Sequence, residues 1–362
     1  MTNGRFDALF GGKPRDPSEQ LDQRHMDLAA SVQQVTEEIV LRLTRSLARE
    51  GQSENLCLAG GVALNCVANG KILRERHFKN IWVQPAAGDA GGALGAALAA
   101  YYQFAGKPRT APAGDAMAGG YLGPSFAQGE IEQRLAQAGA VFSTLSDQAL
   151  VDGTVKALVA EKAVGWFQGR MEFGPRALGA RSILGDPRSP RMQSSLNLRV
   201  KFRESFRPFA PAVLREDVAE WFELDGDSPY MQIVADVLPK HRRPASPRDE
   251  DLFGIERLNI PRSVIPAVTH VDYSARIQTV HTGTNARFHA LLTAFKAATG
   301  CPVLVNTSFN VRGEPIVCTP EDAFRCFMGS DIEVLVVGNC FLSKEDQPES
   351  LKLDYKNAFE LD

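Results

Sequence analysis

The sequence lacks the features that mark several classes of protein. Its formal net charge is only -3, so no overall electrostatic field draws it to nucleic acid or to an anionic membrane. No stretch of about 18 apolar residues runs uninterrupted, and the first residues lack the apolar core of a signal peptide. The six cysteines include no Cys-x-x-Cys pair, which favours buried thiols over a disulfide framework. We therefore predict a cytoplasmic protein, with neither nucleic acid nor a membrane among its partners.

Three common catalytic signatures are missing as well. No Gly-x4-Gly-Lys-Ser/Thr segment is present, which excludes a Walker-type phosphate loop. No Gly-x-Ser-x-Gly segment is present either, which excludes the nucleophile elbow of the hydrolases. The six histidines include no His-x3-His pair, so the sequence does not encode a metal site with two local histidines.

What remains is the composition of a folded protein, with 44% hydrophobic and 23% charged residues in a chain of 362. That length predicts two domains. A Pro/Gly/Ala-rich stretch without apolar periodicity supplies the boundary. We predict a first domain over 1–107, a linker over 108–120 and a second domain over 121–362. A further Pro-rich and basic stretch, 239–262, predicts a long exposed loop.

Apolar spacing predicts the main elements. Residues 25–48 carry apolar side chains three and four apart, as in a long amphipathic helix. Two strand–glycine turn–helix units follow, over 55–73 and 81–102, with Asp89 placed to cap the second helix. In the second domain, helices are predicted at 148–161, at 286–299 and after Thr319, and strands at 164–167, 302–306 and 332–337. This alternation predicts an α/β fold with a mostly parallel sheet.

Positive charge is concentrated between Arg170 and Arg207, where nine basic residues stand against three acidic ones. Glycines and prolines interrupt the stretch, so this charge does not lie along one solvated helix. Arginines on loops at strand ends bind phosphate or carboxylate oxygens with paired hydrogen bonds. Two other interpretations stay open: arginines that only pair with neighbouring acids, and a nucleic-acid surface.

Two further groups of residues are candidates for ligand binding. The segment from Asn306 to Pro315 follows a predicted buried strand, at the edge where open α/β sheets bind ligands. The alternative is an ordinary Asn/Gly turn. Gly60–Gly61 and Gly88–Gly95 each lie between a strand and a helix, which allows close approach of a nucleotide. Small residues for tight helix packing would explain the second glycine group equally well.

Five motifs together resemble the O-carbamoyltransferases of the nodulation and antibiotic-tailoring type. They follow the order of that family and cover essentially the whole chain: Leu58–Asn65, Pro85–Ala97, Gly169–Gly179, Phe206–Pro211 and Asn306–Asn310. The resemblance implies an α/β protein, with part of an actin/hexokinase-like (ASKHA) nucleotide-binding lobe followed by a YrdC-like α/β domain. It also implies that carbamoyl phosphate is cleaved and that its carbamoyl group is joined to the AMP part of ATP. The carbamoyl adenylate then donates to a hydroxyl group of a small-molecule acceptor.

The resemblance also implies roles for individual residues. Carbamoyl phosphate is the implied co-substrate of the arginine-rich region. ATP is implied to bind at the first domain of this chain, the second lobe of the nucleotide-binding domain, near a divalent metal. The implied phosphate and catalytic residues are Arg170, Arg176, Lys201, Arg203, Arg276 and Asn306. The implied nucleotide-binding residues are Gly60, Gly61, Asn65 and Asn69, the last two on one face of the helix after Gly61. Asp89 is the implied metal ligand.

The family begins with a first actin-like lobe that carries a phosphate loop and a His-x3-His pair, and this sequence contains neither. We therefore expect half of a nucleotide cleft, with exposed apolar surface, and a divalent metal (Fe or Mg) only if a missing lobe supplies histidines. A shortened clone, a separate partner chain that carries the lobe, or a remnant would each explain this. Two functions stay open: a carbamoyltransferase, and a non-catalytic YrdC-like module that binds nucleotide or RNA and regulates a partner.

Overall fold

The computed structural model describes residues 3–16, 19, 21–110, 113–244, 260–355 and 358–359. The chain forms two compact units, a smaller one of Met1–Leu56 with Val67–Trp82 and a larger one of Cys57–Cys66 with Val83–Asp362. This division does not fall at 108–120, so the predicted domain boundary stays a prediction. The predicted loop over 239–262 lies mostly outside the described residues.

The helices follow the predicted pattern closely. Within the described residues they are α1 (Gly4–Leu9), α2 (Gln23–Glu50), α3 (Cys66–Glu75), α4 (Asp89–Ala99), α5 (Gln128–Gln137), α6 (Asp147–Val159), α7 (Met192–Ser195), α8 (Val218–Trp221), α9 (Ala286–Thr299) and α10 (Pro320–Met328). None of them combines the length and the apolar character needed to cross a lipid bilayer.

The described strands are β1 (Asn55–Leu58), β2 (Asn80–Val83), β3 (Ser143–Thr144), β4 (Val164–Phe167), β5 (Arg181–Gly185), β6 (Ala210–Leu214), β7 (Ile233–Asp236), β8 (Ser274–Val280), β9 (Val303–Ser308), β10 (Val334–Val337) and β11 (Cys340–Ser343). β1 and β2 form a two-stranded sheet. The other nine form one sheet in the order β3-β11-β10-β4-β5-β9-β6-β8-β7. The predicted α/β class is thereby confirmed at the level of a mixed α/β fold.

The prediction of a mostly parallel sheet is wrong. Only β10 with β4 and β6 with β8 run parallel, and the other neighbours in the large sheet are antiparallel. Several connections contain no helix that would carry the chain back to the same edge. The loop of residues 168–180 returns the chain directly from β4 to β5, and a tight turn at Gly338 and Asn339 joins β10 to β11.

The smaller unit is built around α2, as the apolar spacing predicted. Asp22 caps its N-terminus, and Gly51, in the left-handed conformation with φ 67°, ends it. On its inner side, Glu37 is buried and accepts from Lys71 of α3, while Arg45 donates to Glu75. Its apolar stripe is exposed by between 49% and 61%: Val32, Val35, Ile39, Leu43 and Leu47.

The core of the larger unit lies between the nine-stranded sheet and its covering helices. β4 and β10 are buried along their full length. The predicted apolar face of α9 is fully buried, at Phe288, Leu291, Leu292 and Phe295. α10 begins at the predicted Thr319, which shares a capping box with Asp322. Met117, from the predicted linker, also packs in this unit, in a cluster with Leu178, Ala210, Tyr230 and Met231.

Candidate functional site

A buried carboxylate shapes the loop that carries the first arginines. The loop joins β4 to β5, and Glu172 within it is only 7% exposed. Its Oε1 accepts the backbone N–H groups of Leu178 at 2.6 Å, Ala180 at 2.8 Å and Arg181 at 3.3 Å. Gly179 has φ 100°, and a Cβ there would lie 2.2 Å from the ring of Phe288. The loop is therefore held by the hydrogen bonds of Glu172 and by the close packing of Gly179 against Phe288. Arg176 lies between these two residues in the sequence, so its position is fixed as well.

Two guanidinium groups, those of Arg176 and Arg203, lie near the guanidinium group of Arg276 on β8. Burial lowers the pKa of Arg276 to about 10, and the positive charges of Arg176 and Arg203 act on it in the same direction. Burial also lowers the pKa of Arg176, and it lowers the pKa of Arg203 to about 10. The sequence-predicted residues Arg176 and Arg203 thus both lie near enough to Arg276 for their charges to act on it. We call these three residues the arginine cluster.

The arginine cluster has no carboxylate of its own. In the described part of the chain, none of its three members forms a salt bridge; Glu204, the acid next to Arg203, pairs with Arg207 at 3.0 Å. Arg176 donates from Nη2 to the carbonyl of Leu64 at 3.3 Å, and its buried Nε has no hydrogen-bond partner there. Like charges held together in a partly buried place favour the entry of an anion.

The other arginines between Arg170 and Arg207 have different partners from those of the arginine cluster. Four of them pair with acids: Arg188 with Asp186, Arg191 with Glu161, Arg199 with Asp331 and Arg207 with Glu204. Arg181 is fully buried, with its guanidinium 3.5 Å from the ring centre of Phe167. The interpretation of arginines that only pair with acids is therefore right for part of the stretch and does not extend to the arginine cluster.

Asn306 lies on the same face of the sheet as the arginine cluster. It is 1% exposed, and its Nδ2 donates to the carbonyl of Ala177 at 3.1 Å and to Oε1 of Gln278 at 2.7 Å. Gln278 follows Arg276 by two positions on β8, so both side chains point to one side. Within the described residues, Oδ1 of Asn306 is buried without a hydrogen-bond donor. That oxygen can accept a hydrogen bond from a ligand.

The amino group of Lys201 donates its hydrogen bonds to other residues of the chain. Its Nζ donates to the carbonyl of Ser308, and to Asn310 at 2.8 Å through both the carbonyl and Oδ1. Burial, with the charge of Arg203, lowers the pKa of Lys201 to about 7. These contacts fasten the turn after β9, so Lys201 positions that turn next to the arginine cluster.

Arg170 is placed at a different cavity. It is exposed, and its Nη1 donates to the carbonyl of Gly123 at 3.0 Å. The cavity that it lines, with a volume of about 390 Å³, is shared with Tyr121, Gln168 and Arg287 and not with the arginine cluster. The role of Arg170 toward carbamoyl phosphate stays a prediction.

The residues implied for nucleotide binding lie in both units. Gly60 has φ 98° and Gly61 begins a short 3-10 turn that ends before Asn65; these three belong to the larger unit. Asn69 belongs to the smaller unit, within α3, and is 2% exposed. Because α3 starts only at Cys66, the expectation that Asn65 and Asn69 share one helical face is wrong.

Asp89 does not cap α4. The cap residue is Gly88, and Asp89 is the first residue of the helix, where its charge still favours the helix dipole. Across the described residues, no three side chains of His, Cys, Asp or Glu come together as a metal ion requires. A single carboxylate does not make a metal site, so the metal role of Asp89 stays a prediction.

Two residues near the site were missed in the sequence. Glu172 is the one acid inside the motif Gly169–Gly179, and that isolation among glycines and arginines was the available signal. Cys66 lies close enough to Arg176 and Arg276 to act on the pKa of both. No local pattern links Cys66 to those two arginines, because they lie more than a hundred residues away.

Comparison with known proteins assigns both parts of the chain to one family. A family model described as the carbamoyltransferase C-terminus matches residues 155–344, and one described as the carbamoyltransferase N-terminus matches residues 1–98. An uncharacterized protein of Synechocystis sp. is 59% identical over all of this chain and 59% of its own length. Nodulation protein NolNO of Sinorhizobium fredii is 40% identical over 89% of this chain and 44% of its own length.

A third relative carries an activity in its name. The 3'-hydroxymethylcephem-O-carbamoyltransferase of Streptomyces clavuligerus is 34% identical over 78% of this chain and 48% of its own length. The chain spans about half the length of the curated relatives it matches.

Proposed function

The chain belongs to the carbamoyltransferase family, as its motifs predicted, and from that premise we propose that the arginine cluster binds carbamoyl phosphate for transfer of its carbamoyl group. The observation that carries the proposal is that Arg176 and Arg203 both act on the buried Arg276, while none of the three forms a salt bridge within the described residues. A phosphoryl group supplies the negative charge that these guanidinium groups lack.

The chemistry of the substrate matches the groups around it. Guanidinium groups neutralise the phosphoryl oxygens as the bond from the carbamoyl carbon to the phosphate oxygen breaks and phosphate leaves. In a partly buried site this electrostatic help is larger than in water. The free Oδ1 of Asn306 accepts from the amide N–H of the carbamoyl group, which removes the cost of a buried oxygen without a donor.

The full reaction that we propose consumes ATP. Water cleaves carbamoyl phosphate to carbamate and phosphate, and a carbamate oxygen then displaces pyrophosphate from ATP to give carbamoyl adenylate. The hydroxyl group of a small-molecule acceptor attacks the carbamoyl carbon, and AMP leaves. The glycines at 60 and 61 would approach the nucleotide with their backbone. We propose a small molecule with a hydroxyl group as the acceptor and ATP as the nucleotide. A separate chain that carries a further lobe is proposed as a partner.

The transferase is favoured over the non-catalytic module that binds nucleotide or RNA. A relative named as an O-carbamoyltransferase aligns with most of this chain. Single-stranded nucleic acid is bound by aromatic stacking platforms along a basic groove. The arginine cluster instead places positive charges around the buried Arg276, with the buried amide of Asn306 on the same face of the sheet, which fits a small anion.

Cys66 provides a test that does not depend on turnover. It lies beside Arg176 and Arg276, so bound carbamoyl phosphate is expected to shield its thiol. We expect a saturating concentration to slow alkylation of Cys66 by iodoacetamide about tenfold or more, as judged by mass spectrometry of the peptides. Cys57, which is exposed, is the internal control and should react at an unchanged rate.

Inorganic phosphate should also slow the alkylation of Cys66, because we expect the same guanidinium groups to bind phosphate. A parallel sample with cyanate shows whether lost labelling reflects carbamoylation of the thiol instead. Equal alkylation of Cys66 with and without carbamoyl phosphate would argue against binding at the arginine cluster.

A further inference from the structure

A second charged cavity lies away from the arginine cluster. Its volume is about 390 Å³, and the residues that line it include Tyr121, Gln168, Arg170, Asn285 and Arg287. Three parts of the larger unit build it: the two ends of the loop between β4 and β5, the N-terminus of α9 with the residues just before it, and Tyr121. The function proposed above uses none of these residues.

Two arginines held in different ways line this cavity; within the described residues Arg170 forms no salt bridge, so it supplies the positive charge that no acid neutralises. Arg287 is fixed by the protein, since it donates to Gln168 Oε1 at 2.8 Å and to Asn339 Oδ1 at 3.0 Å and pairs with Asp147. Arg170 is exposed and is fastened at Nη1 alone, to the carbonyl of Gly123. The rest of its guanidinium is available to a ligand. Asp147 is 75% exposed and is not among the lining residues.

The walls supply the remaining features of a binding site. The hydroxyl of Tyr121 donates to the carbonyl of Leu178 at 2.7 Å and accepts from Asn285 at 3.0 Å, which locks the ring as a wall. Asn285 also caps α9, a helix of 14 residues, whose N-terminus adds positive potential to that of the arginines. A volume of about 390 Å³ is several times that of a single phosphate, so there is room for an organic group beside the anion.

We propose that this cavity binds the oxyanion group, phosphate or carboxylate, of a small organic molecule, at a site separate from the arginine cluster. Arg170 makes the adjustable contact and Arg287 the fixed one. The proposal does not rest on carbamoyl phosphate binding, because it uses other side chains and another cavity.

The test is a calorimetric titration of the full chain carrying Arg276→Ala, which removes the central member of the arginine cluster. Inorganic phosphate and succinate are the two probes, and they distinguish a phosphate from a carboxylate source. We expect one of them still to bind this chain, and binding to weaken about tenfold or more when Arg170→Ala is added. Arg191→Ala, which removes an exposed arginine paired with Glu161, is the matched control and should leave the affinity unchanged.

Absence of binding by both probes to the Arg276→Ala chain would overturn the proposal, as would equal affinity with and without Arg170→Ala. Arg170→Lys, which keeps the charge, should restore part of the affinity and so guards against a folding defect in the alanine variant. Failure of the function proposed above has a different signature: carbamoyl phosphate would then bind the wild type and the Arg276→Ala chain alike.

Discussion

Replacement of Arg276 by alanine is expected to remove most of the affinity for carbamoyl phosphate. Arg276 is the member of the arginine cluster on which both other guanidinium groups act. A hydrogen bond to a charged group contributes about 1.5–3 kcal/mol. At about 1.4 kcal/mol for each factor of ten, its loss weakens binding by about 10- to 150-fold. Titration calorimetry with carbamoyl phosphate measures the change.

The same substitution should not destabilise the fold. It removes a buried charge and its repulsion from Arg176 and Arg203, so the melting temperature is expected to stay level or to rise. Arg199→Ala is the matched control, because Arg199 is paired with Asp331 and lies in the same basic stretch. Unchanged affinity in Arg276→Ala, or an equal loss in Arg199→Ala, would contradict the assignment of the site.

Glu172→Ala is expected to cause the largest loss of stability. The substitution leaves three buried N–H groups, of Leu178, Ala180 and Arg181, without their acceptor. It also removes the carboxylate that raises the pKa of the buried Arg181 against the effect of burial. Breaking a buried charge interaction of this kind costs about 3–5 kcal/mol. Equilibrium unfolding in urea measures the free energy of unfolding.

Two other variants bracket the effect of Glu172→Ala. Glu172→Gln keeps an acceptor oxygen and should lose less. Glu220→Ala removes an exposed carboxylate that pairs with Lys240 and should change stability only slightly. If Glu172→Ala were as stable as Glu220→Ala, the view that Glu172 holds the loop in place would be wrong.

Elements that depend on local signals could be predicted from the sequence. The apolar spacing placed α2 and α9 within a few residues of their ends, and Thr319 marked the start of α10. The continuous apolar run at β10 correctly predicted a strand buried on both faces. Each of these signals lies within one turn or one strand, so the contacts that realise it are close in the sequence.

Features set by distant contacts could not be predicted. The direction of neighbouring strands depends on which edges pair, and the antiparallel pairing of β5 with β9 joins segments more than a hundred residues apart. Which arginines pair with acids also depends in part on contacts that are distant in the sequence. Counting residues between Arg170 and Arg207 did not separate Arg199, which pairs with Asp331, from Arg203, whose charge acts on Arg276.

The most direct test of the central claim is a crystal structure of the chain with carbamoyl phosphate. We expect the phosphate within hydrogen-bonding distance of the guanidinium groups of Arg176, Arg203 and Arg276, and the carbamoyl amide next to Oδ1 of Asn306. Carbamoyl phosphate bound elsewhere, with the three arginine side chains directed apart into solvent, would contradict the account.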